Sequence, residues 1–129
     1  EHILLHNADI LVDADLRRLL AAHLESGAMV ILMLLPGRGP LTVDMDPKSG
    51  RIETVRRPRG QGAFTYTGVQ VVRRELLDYL PDAEFCSIVD AWEAARKDGH
   101  AVLGFPIDKH TFWVDTGTPR AYIHAHAEA

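Results

Sequence analysis

The sequence predicts one α/β domain built on a mixed β-sheet, and three features carry that prediction. A short apolar run, a helix with one apolar face and an uninterrupted apolar run succeed one another between His2 and Leu35, the pattern of a strand–helix–strand unit. Two short strand-like runs then flank a turn, and a longer alternating run rich in aromatic and β-branched residues follows them. Helix and strand signals alternate again to the end, with no internal repeat, low-complexity segment or linker, so residues 1–129 read as a single unit.

Residues 2–7 form a short apolar run ending in polar residues, which predicts a buried strand. Asp13 is placed to cap a helix over residues 14–25, whose Leu16, Leu19, Leu20 and Leu24 share one face and whose stop is Gly27. Residues 28–35 are apolar without a break, as expected of a strand covered on both faces. That strand should run parallel to the first through a right-handed crossover. Residues 41–45 and 51–55 predict a hairpin about Asp46-Pro47-Lys48-Ser49-Gly50. Residues 56–62 are basic, contain Pro and Gly, and predict a loop. Residues 64–72 predict a strand, and residues 74–79 a short helix ended by Pro81. Ser87-Ile88-Val89-Asp90 has the form of a capping box, opening a helix that runs to Asp98 with Gly99 as its stop. Residues 100–105 and 111–114 predict strands, and Thr118-Pro119 opens a last helix. Trp92 and Leu103 read as core, and Cys86 as a buried small residue.

Composition bounds the function classes. The chain is 47% hydrophobic and 25% charged, with a formal net charge of −4. That balance argues against a nucleic-acid surface, which needs a basic patch, but leaves room for anionic small ligands neutralised by a divalent cation. The lone Cys86 excludes an internal disulfide framework and fits a reducing cytoplasm. No apolar run nears the roughly 20 residues that span a bilayer, so no membrane role is expected. Glu1 leads straight into a core-type strand without an initiator Met, from which we expect a portion of a longer chain.

Two aspartates stand where α/β sheets place their chemistry, just beyond strand ends. Asp9 follows the first strand, and Asp115 follows Phe112-Trp113-Val114. Two readings are open for each. Asp is common as a turn or helix cap; equally, two carboxylates from distant parts of the chain can converge on one hard cation such as Mg²⁺, which takes oxygen ligands and keeps several waters. Gly68 within a strand marks either a β-bulge or a close approach of another group. His124 and His126 are two apart on a helix and do not face one another, and His110 reads as a loop residue.

Three segments in order, His6-Asn7-Ala8-Asp9-Ile10-Leu11, Phe64-Thr65-Tyr66-Thr67-Gly68-Val69-Gln70-Val71 and Trp113-Val114-Asp115-Thr116-Gly117-Thr118-Pro119, resemble the bacterial sugar-1-phosphate nucleotidyltransferases. That family includes the mannose-1-phosphate guanylyltransferases, the glucose-1-phosphate thymidylyl- and uridylyltransferases and the N-acetylmuramate-1-phosphate uridylyltransferases. The resemblance covers nearly the whole chain and implies a Rossmann-like nucleotidyltransferase fold, of which residues 1–129 would be the C-terminal, metal- and sugar-phosphate-binding portion. It implies that Asp9 and Asp115 are the catalytic pair holding Mg²⁺. By the same resemblance Asn7, Thr67 and Gly68 line the sugar-phosphate side, Asn7 either contacting substrate or orienting the loop around Asp9. Thr116 and Thr118 read as caps of the last helix. The implied reaction is transfer of a nucleotidyl group from an NTP to a sugar-1-phosphate, giving an NDP-sugar and pyrophosphate.

The sequence also departs from that family. A Glu-Lys-Pro element, which in many members holds the sugar and its phosphate, is replaced by Val55-Arg56-Arg57-Pro58-Arg59-Gly60. These arginines suit bidentate phosphate binding, although a solvated basic loop is the commoner use of such a stretch. The replacement makes the chain look closer to the muramate-type branch or to a neighbouring branch. The family's Gly-rich nucleotide loop would precede Asp9 by about a hundred residues, as the resemblance implies. Pro36-Gly37-Arg38-Gly39-Pro40 is a surface turn rather than that loop, because Pro40 removes a backbone donor. The chain taken alone is therefore expected to be inactive. The alternative from another class is a catalytically degenerate, sugar-nucleotide-binding or regulatory subunit.

Overall fold

The structure, a computed structural model, describes residues 1–128. Its centre is a four-stranded mixed sheet in the order β1 (His2–His6), β6 (Phe64–Arg73), β3 (Val30–Pro36) and β7 (Val102–Pro106). β6 runs antiparallel to both neighbours, while β3 and β7 are parallel. β1 and β3 therefore point the same way, as the strand–helix–strand pattern predicts, but β6 is inserted between them. Two small ladders accompany the sheet: β2 (Ile10–Val12) with β8 (Trp113–Asp115), and β4 (Asp44–Met45) with β5 (Ile52–Thr54).

The unbroken apolar run of β3 has a two-sided burial. Val30, Leu32 and Leu34 enter one core with Val72, Leu76, Ala91, Trp92 and Ala95, under helix α2 (Ile88–Lys97). Ile31 and Met33 enter the other with Leu19, Val69 and Val71, under α1 (Leu16–Ser26). Alternate residues of one strand thus feed both faces. Fully burying aliphatic side chains of this size contributes about 1.5–3 kcal/mol each, which makes β3 the main hydrophobic anchor of the fold.

The helix boundaries follow their caps. Asp15, rather than Asp13, caps α1 by accepting from the Arg17 N–H at 3.0 Å, so the helix begins later than predicted. The buried face of α1 is also turned. Leu19 and His23 are fully buried, whereas Leu20 and Leu24 remain 40% and 53% exposed. Ser87 caps α2 through the Val89 N–H, as expected, but Asp90 pairs with Arg56. Cys86 is exposed, in a correction of its predicted burial, because residues 81–87 form an irregular surface segment. Residues 74–79 form a 3₁₀ turn, and the last helix, α3, spans Pro119–Glu128.

Opposite Met33, β6 carries two more residues than the pairing needs: Leu32 pairs with Gln70, but Leu34 pairs with Tyr66. Gly68 sits in this bulge at φ 92°, a conformation L side chains rarely adopt. The bulge turns the Thr67 carbonyl out to accept from the Trp113 indole N–H at 2.9 Å, and the Gly68 carbonyl accepts from the Asn7 N–H at 2.9 Å. One irregularity in a central strand therefore holds both β8 and the end of β1, where the two aspartates lie.

Candidate functional site

Asp9 lies in the turn between β1 and β2, closed by the Ile10 N–H donating to the Asn7 carbonyl. Asp115 ends β8, and the β2–β8 ladder pairs it with Ile10, directly after Asp9. Residues 106 apart in sequence become neighbours through a ladder three residues long. Thr116 completes the join, since its backbone N–H and its hydroxyl both donate to the Asp9 carbonyl, at 2.7 and 2.9 Å. Thr116 is thus a clasp on Asp9 and not a cap of α3. Thr118 does cap that helix, accepting from the Ala121 N–H at 3.1 Å.

The carboxylates meet over Gly117. A Cβ built on Gly117 would lie 2.9 Å from Asp115 Oδ1 and 3.0 Å from Asp9 Oδ2, so the side chains face one another across a gap that any residue but glycine would fill. The Gly117 N–H donates to Asp115 Oδ1 at 2.8 Å and fixes its rotamer. Both aspartates are exposed, and neither makes an ion pair among the described residues. Two facing, unneutralised carboxylates repel, and a cation between them removes that repulsion. Among the described residues no group of three or more His, Cys, Asp or Glu gathers as a metal site. A two-carboxylate donor set fits a hard cation of the Mg²⁺ kind, which leaves its other positions to water and phosphate oxygens.

The remaining predicted residues surround this pair unequally. Asn7 is exposed next to it, and its side chain packs on Gly68, with Nδ2 3.1 Å from the position of a Gly68 Cβ. Gly68 itself is buried and meets Ile10 Cγ1 at 2.8 Å in the same sense, so the group that approaches its backbone closely is the β1–β2 turn. Thr67 is fully buried, and its hydroxyl donates to the Met33 carbonyl at 2.9 Å. The structure therefore brings together Asp9, Asp115 and Asn7 at the surface, and places Thr67 and Gly68 in the layer beneath them. A small hollow of about 250 Å³, lined by Ala8, Leu11, Thr116, Tyr122, Ala125 and His126, adjoins the Asp9 turn. Sequence reasoning assigned no role to Gly117, or to Trp113 as the anchor of β8. The signal for both was the Trp113-to-Pro119 segment, in which Trp113 stands two residues before Asp115 and Gly117 two after.

The arginine loop is tied down by carboxylates. Arg57 Nε lies 2.7 Å from Asp44 Oδ2, while Asp44 Oδ1 accepts from the Ala63 N–H. The Ala63 hydrogen bond first, and the Arg57 guanidinium second, hold the Asp44 carboxyl below the usual carboxylate range. Arg56 pairs with Asp90 on α2, and Arg59 makes no ion pair among the described residues. Arg38, in the 36–40 turn, donates to the carbonyls of Lys109 and Thr111, so this turn braces the loop before β8.

No protein-family model matches the chain, and no curated protein matches it either. Solved structures do. A UTP-bound UGPase from Acinetobacter baumannii superposes with a TM-score of 0.78 at 18% identity, over 99% of this chain and 50% of that one. HddC from Yersinia pseudotuberculosis gives 0.76 at 15% identity, over 98% and 55%. A proposed glucose-1-phosphate thymidylyltransferase from Bacillus anthracis, solved with sucrose, gives 0.76 at 15% identity, over 99% and 54%. The chain spans about half the length of the solved chains it matches, and over that span its fold is the Rossmann-like nucleotidyltransferase fold with a mixed sheet.

Proposed function

We propose that this chain supplies the metal- and sugar-phosphate-binding side of a sugar-1-phosphate nucleotidyltransferase. The single observation that carries the reading is the convergence of Asp9 and Asp115 over Gly117. It receives support from the likeness of the fold to a UGPase and to a proposed glucose-1-phosphate thymidylyltransferase. In the proposed reaction a sugar-1-phosphate oxygen attacks the α-phosphorus of an NTP, the bond to the β-phosphate oxygen breaks, and pyrophosphate leaves. The nucleophile is already anionic at neutral pH, so no side chain has to remove a proton. The proposed step therefore asks of these residues only that they bind and orient.

Asp9 and Asp115 would hold Mg²⁺, which when bound supplies charge neutralisation between the two phosphate-bearing substrates. The chain's own contribution is positional. Thr116 fixes the Asp9 backbone, the Gly117 N–H fixes the Asp115 carboxylate, and the bare Gly117 Cα leaves the space between them open. Asn7, exposed on the same turn as Asp9, would either contact a phosphate or sugar oxygen or orient the turn around Asp9. Thr67 and Gly68 act from below, by setting the bulge on which Asn7 rests. Preorganised geometry of this kind accounts for most of the catalytic effect where the chemistry itself needs little assistance.

The reading is tested by titrating the chain with Mn²⁺ as a probe of the Mg²⁺ site. One saturable site is expected, lost in Asp9→Asn and in Asp115→Asn while thermal unfolding is little changed. Binding that persists in both variants overturns the metal assignment. The chain alone, incubated with NTP, Mg²⁺ and a panel of sugar-1-phosphates, is expected to release no pyrophosphate.

A further inference from the structure

We propose that a second, separate anion site lies at the opposite edge of the sheet, in the cleft between α2, β5 and the start of β7, and that it takes a phosphate-bearing small molecule. This cleft has a volume of about 790 Å³, and its lining includes three cations, Arg51, Arg96 and Lys97, one carboxylate, Glu93, and the imidazole of His100. The protein carries fewer cations than anions, 14 Lys and Arg against 18 Asp and Glu, yet here the proportion is inverted.

The cations come from different elements, so a single local role does not explain them. Arg96 and Lys97 stand in the last turn of α2, where a positive charge complements the helix dipole. Arg51 has no such reason to be there. It arrives from the β4–β5 hairpin, which is fastened to the edge of β7 by an Arg51–Leu103 bridge and by the Gly104 N–H donating to the Gly50 carbonyl at 2.8 Å. Glu93 is already engaged by Arg96 Nη1 at 2.9 Å, and Arg96 Nη2 donates to the Glu53 carbonyl at 2.7 Å, which holds that guanidinium in place. Arg51 and Lys97 make no ion pair among the described residues and are exposed. Two free cations, a fixed third and the half-buried His100 thus face one cleft whose only carboxylate is neutralised. A guanidinium from the β4–β5 hairpin and an ammonium from α2 suit a ligand with several phosphate oxygens. A net charge of −4 on the whole chain disfavours an extended polyanion such as nucleic acid, which needs a longer basic track.

The cleft is remote from the carboxylate pair by topology. Asp9 follows the C-terminal end of β1 at one edge of the sheet, whereas His100 and Val102 lie at the N-terminal end of β7, the other edge strand, and β1 and β7 point the same way. Binding here would leave the Asp9–Asp115 gap free.

Inorganic pyrophosphate, in metal-free buffer with a chelator and at low salt, is the probe. Amide NMR shifts are expected to saturate at residues 51–53 and 96–100, with none at Asp9 or Asp115. Arg51→Gln/Lys97→Gln, which alters two exposed side chains, is expected to keep its amide spectrum otherwise and to bind about tenfold more weakly. Asp115→Asn is expected to bind as the parent does. Absence of saturable shifts, unchanged affinity in the double variant, or shifts confined to the carboxylate turn would each overturn the proposal.

Discussion

Gly117 separates the roles of space and charge at the candidate site. Its backbone is not in the left-handed region, so Gly117→Ala introduces little strain there; the added methyl enters the space between Asp9 Oδ2 and Asp115 Oδ1. We expect Mn²⁺ affinity to fall about tenfold or more, as when the support of a metal ligand is lost, with the melting temperature nearly unchanged. Titration of both in parallel checks this. His23 carries a different residue-scale consequence. It is fully buried, its Nε2 lies 2.9 Å from His2 Nδ1, and its own Nδ1 has no partner among the described residues. Burial first, then His2 and Arg73, push its pKa below the ordinary imidazole value of 6.5. Below 6.5 the unfolded chain takes up a proton that the folded chain resists, so stability is full above that value and falls as the pH drops towards the folded pKa. Thermal unfolding between about pH 7 and about pH 5 should show a falling midpoint, and His23→Leu should flatten that slope.

At the scale of elements, β6 is the member on which both cores and the site depend. Gln70 ties it to α2, since its Oε1 accepts from the Trp92 indole N–H at 2.9 Å while its Nε2 donates to the Tyr66 hydroxyl oxygen at 2.9 Å. Gln70→Leu strands the buried Trp92 N–H, and we expect a loss of about 2 kcal/mol in chemical denaturation. Two residues earlier, Gly68→Ala would strain the backbone at φ 92° and press on Ile10. It should therefore cost stability and displace the Asp9 turn at once, lowering Mn²⁺ affinity where Gln70→Leu does not. How much of this was legible in the sequence depends on the range of the interactions. The two-sided burial of β3 was readable, because an unbroken apolar run has few other uses. The insertion of β6 between β1 and β3 was not, because a strand–helix–strand pattern states direction and leaves pairing open. Asp13 reads from the sequence as the cap of α1, but Asp15, two residues on, is the one whose carboxylate accepts from the Arg17 N–H. At the site, Asp9 and Asp115 were legible as strand-end carboxylates. Their meeting over Gly117 was not, since it rests on a three-residue ladder and a threonine clasp that have no local signature. The layer in which Thr67 lies was hidden for the same reason: only the bulge reveals that its hydroxyl donates to the Met33 carbonyl.

For the molecule as a whole, the two ends of the sheet are finished differently. The β7 edge is partly covered by the β4–β5 hairpin, through the Arg51–Leu103 bridge and the Gly104–Gly50 hydrogen bond. β1 pairs only with β6, so its outer edge is left unpaired among the described residues. An open edge is a template for further strand pairing, and proteins usually blunt one with charge, proline or a covering element. Here the edge strand reads His2-Ile3-Leu4-Leu5-His6, with none of these devices. Leu4 is 47% exposed on it, and the His2–His23 contact brings β1 beside α1, where Leu20 and Leu24 are exposed as well. Apolar side chains and free backbone groups on adjoining elements favour association. We expect this 129-residue chain to self-associate as its concentration rises, with sedimentation velocity showing a weight-average mass above the monomer's 14.3 kDa. Leu20→Lys/Leu24→Glu should return it towards the monomer without loss of Mn²⁺ binding, because both side chains are exposed and belong to a different element from the carboxylate pair. A mass independent of concentration in the parent chain would show instead that the open edge is too short, or too strongly twisted, to pair in solution.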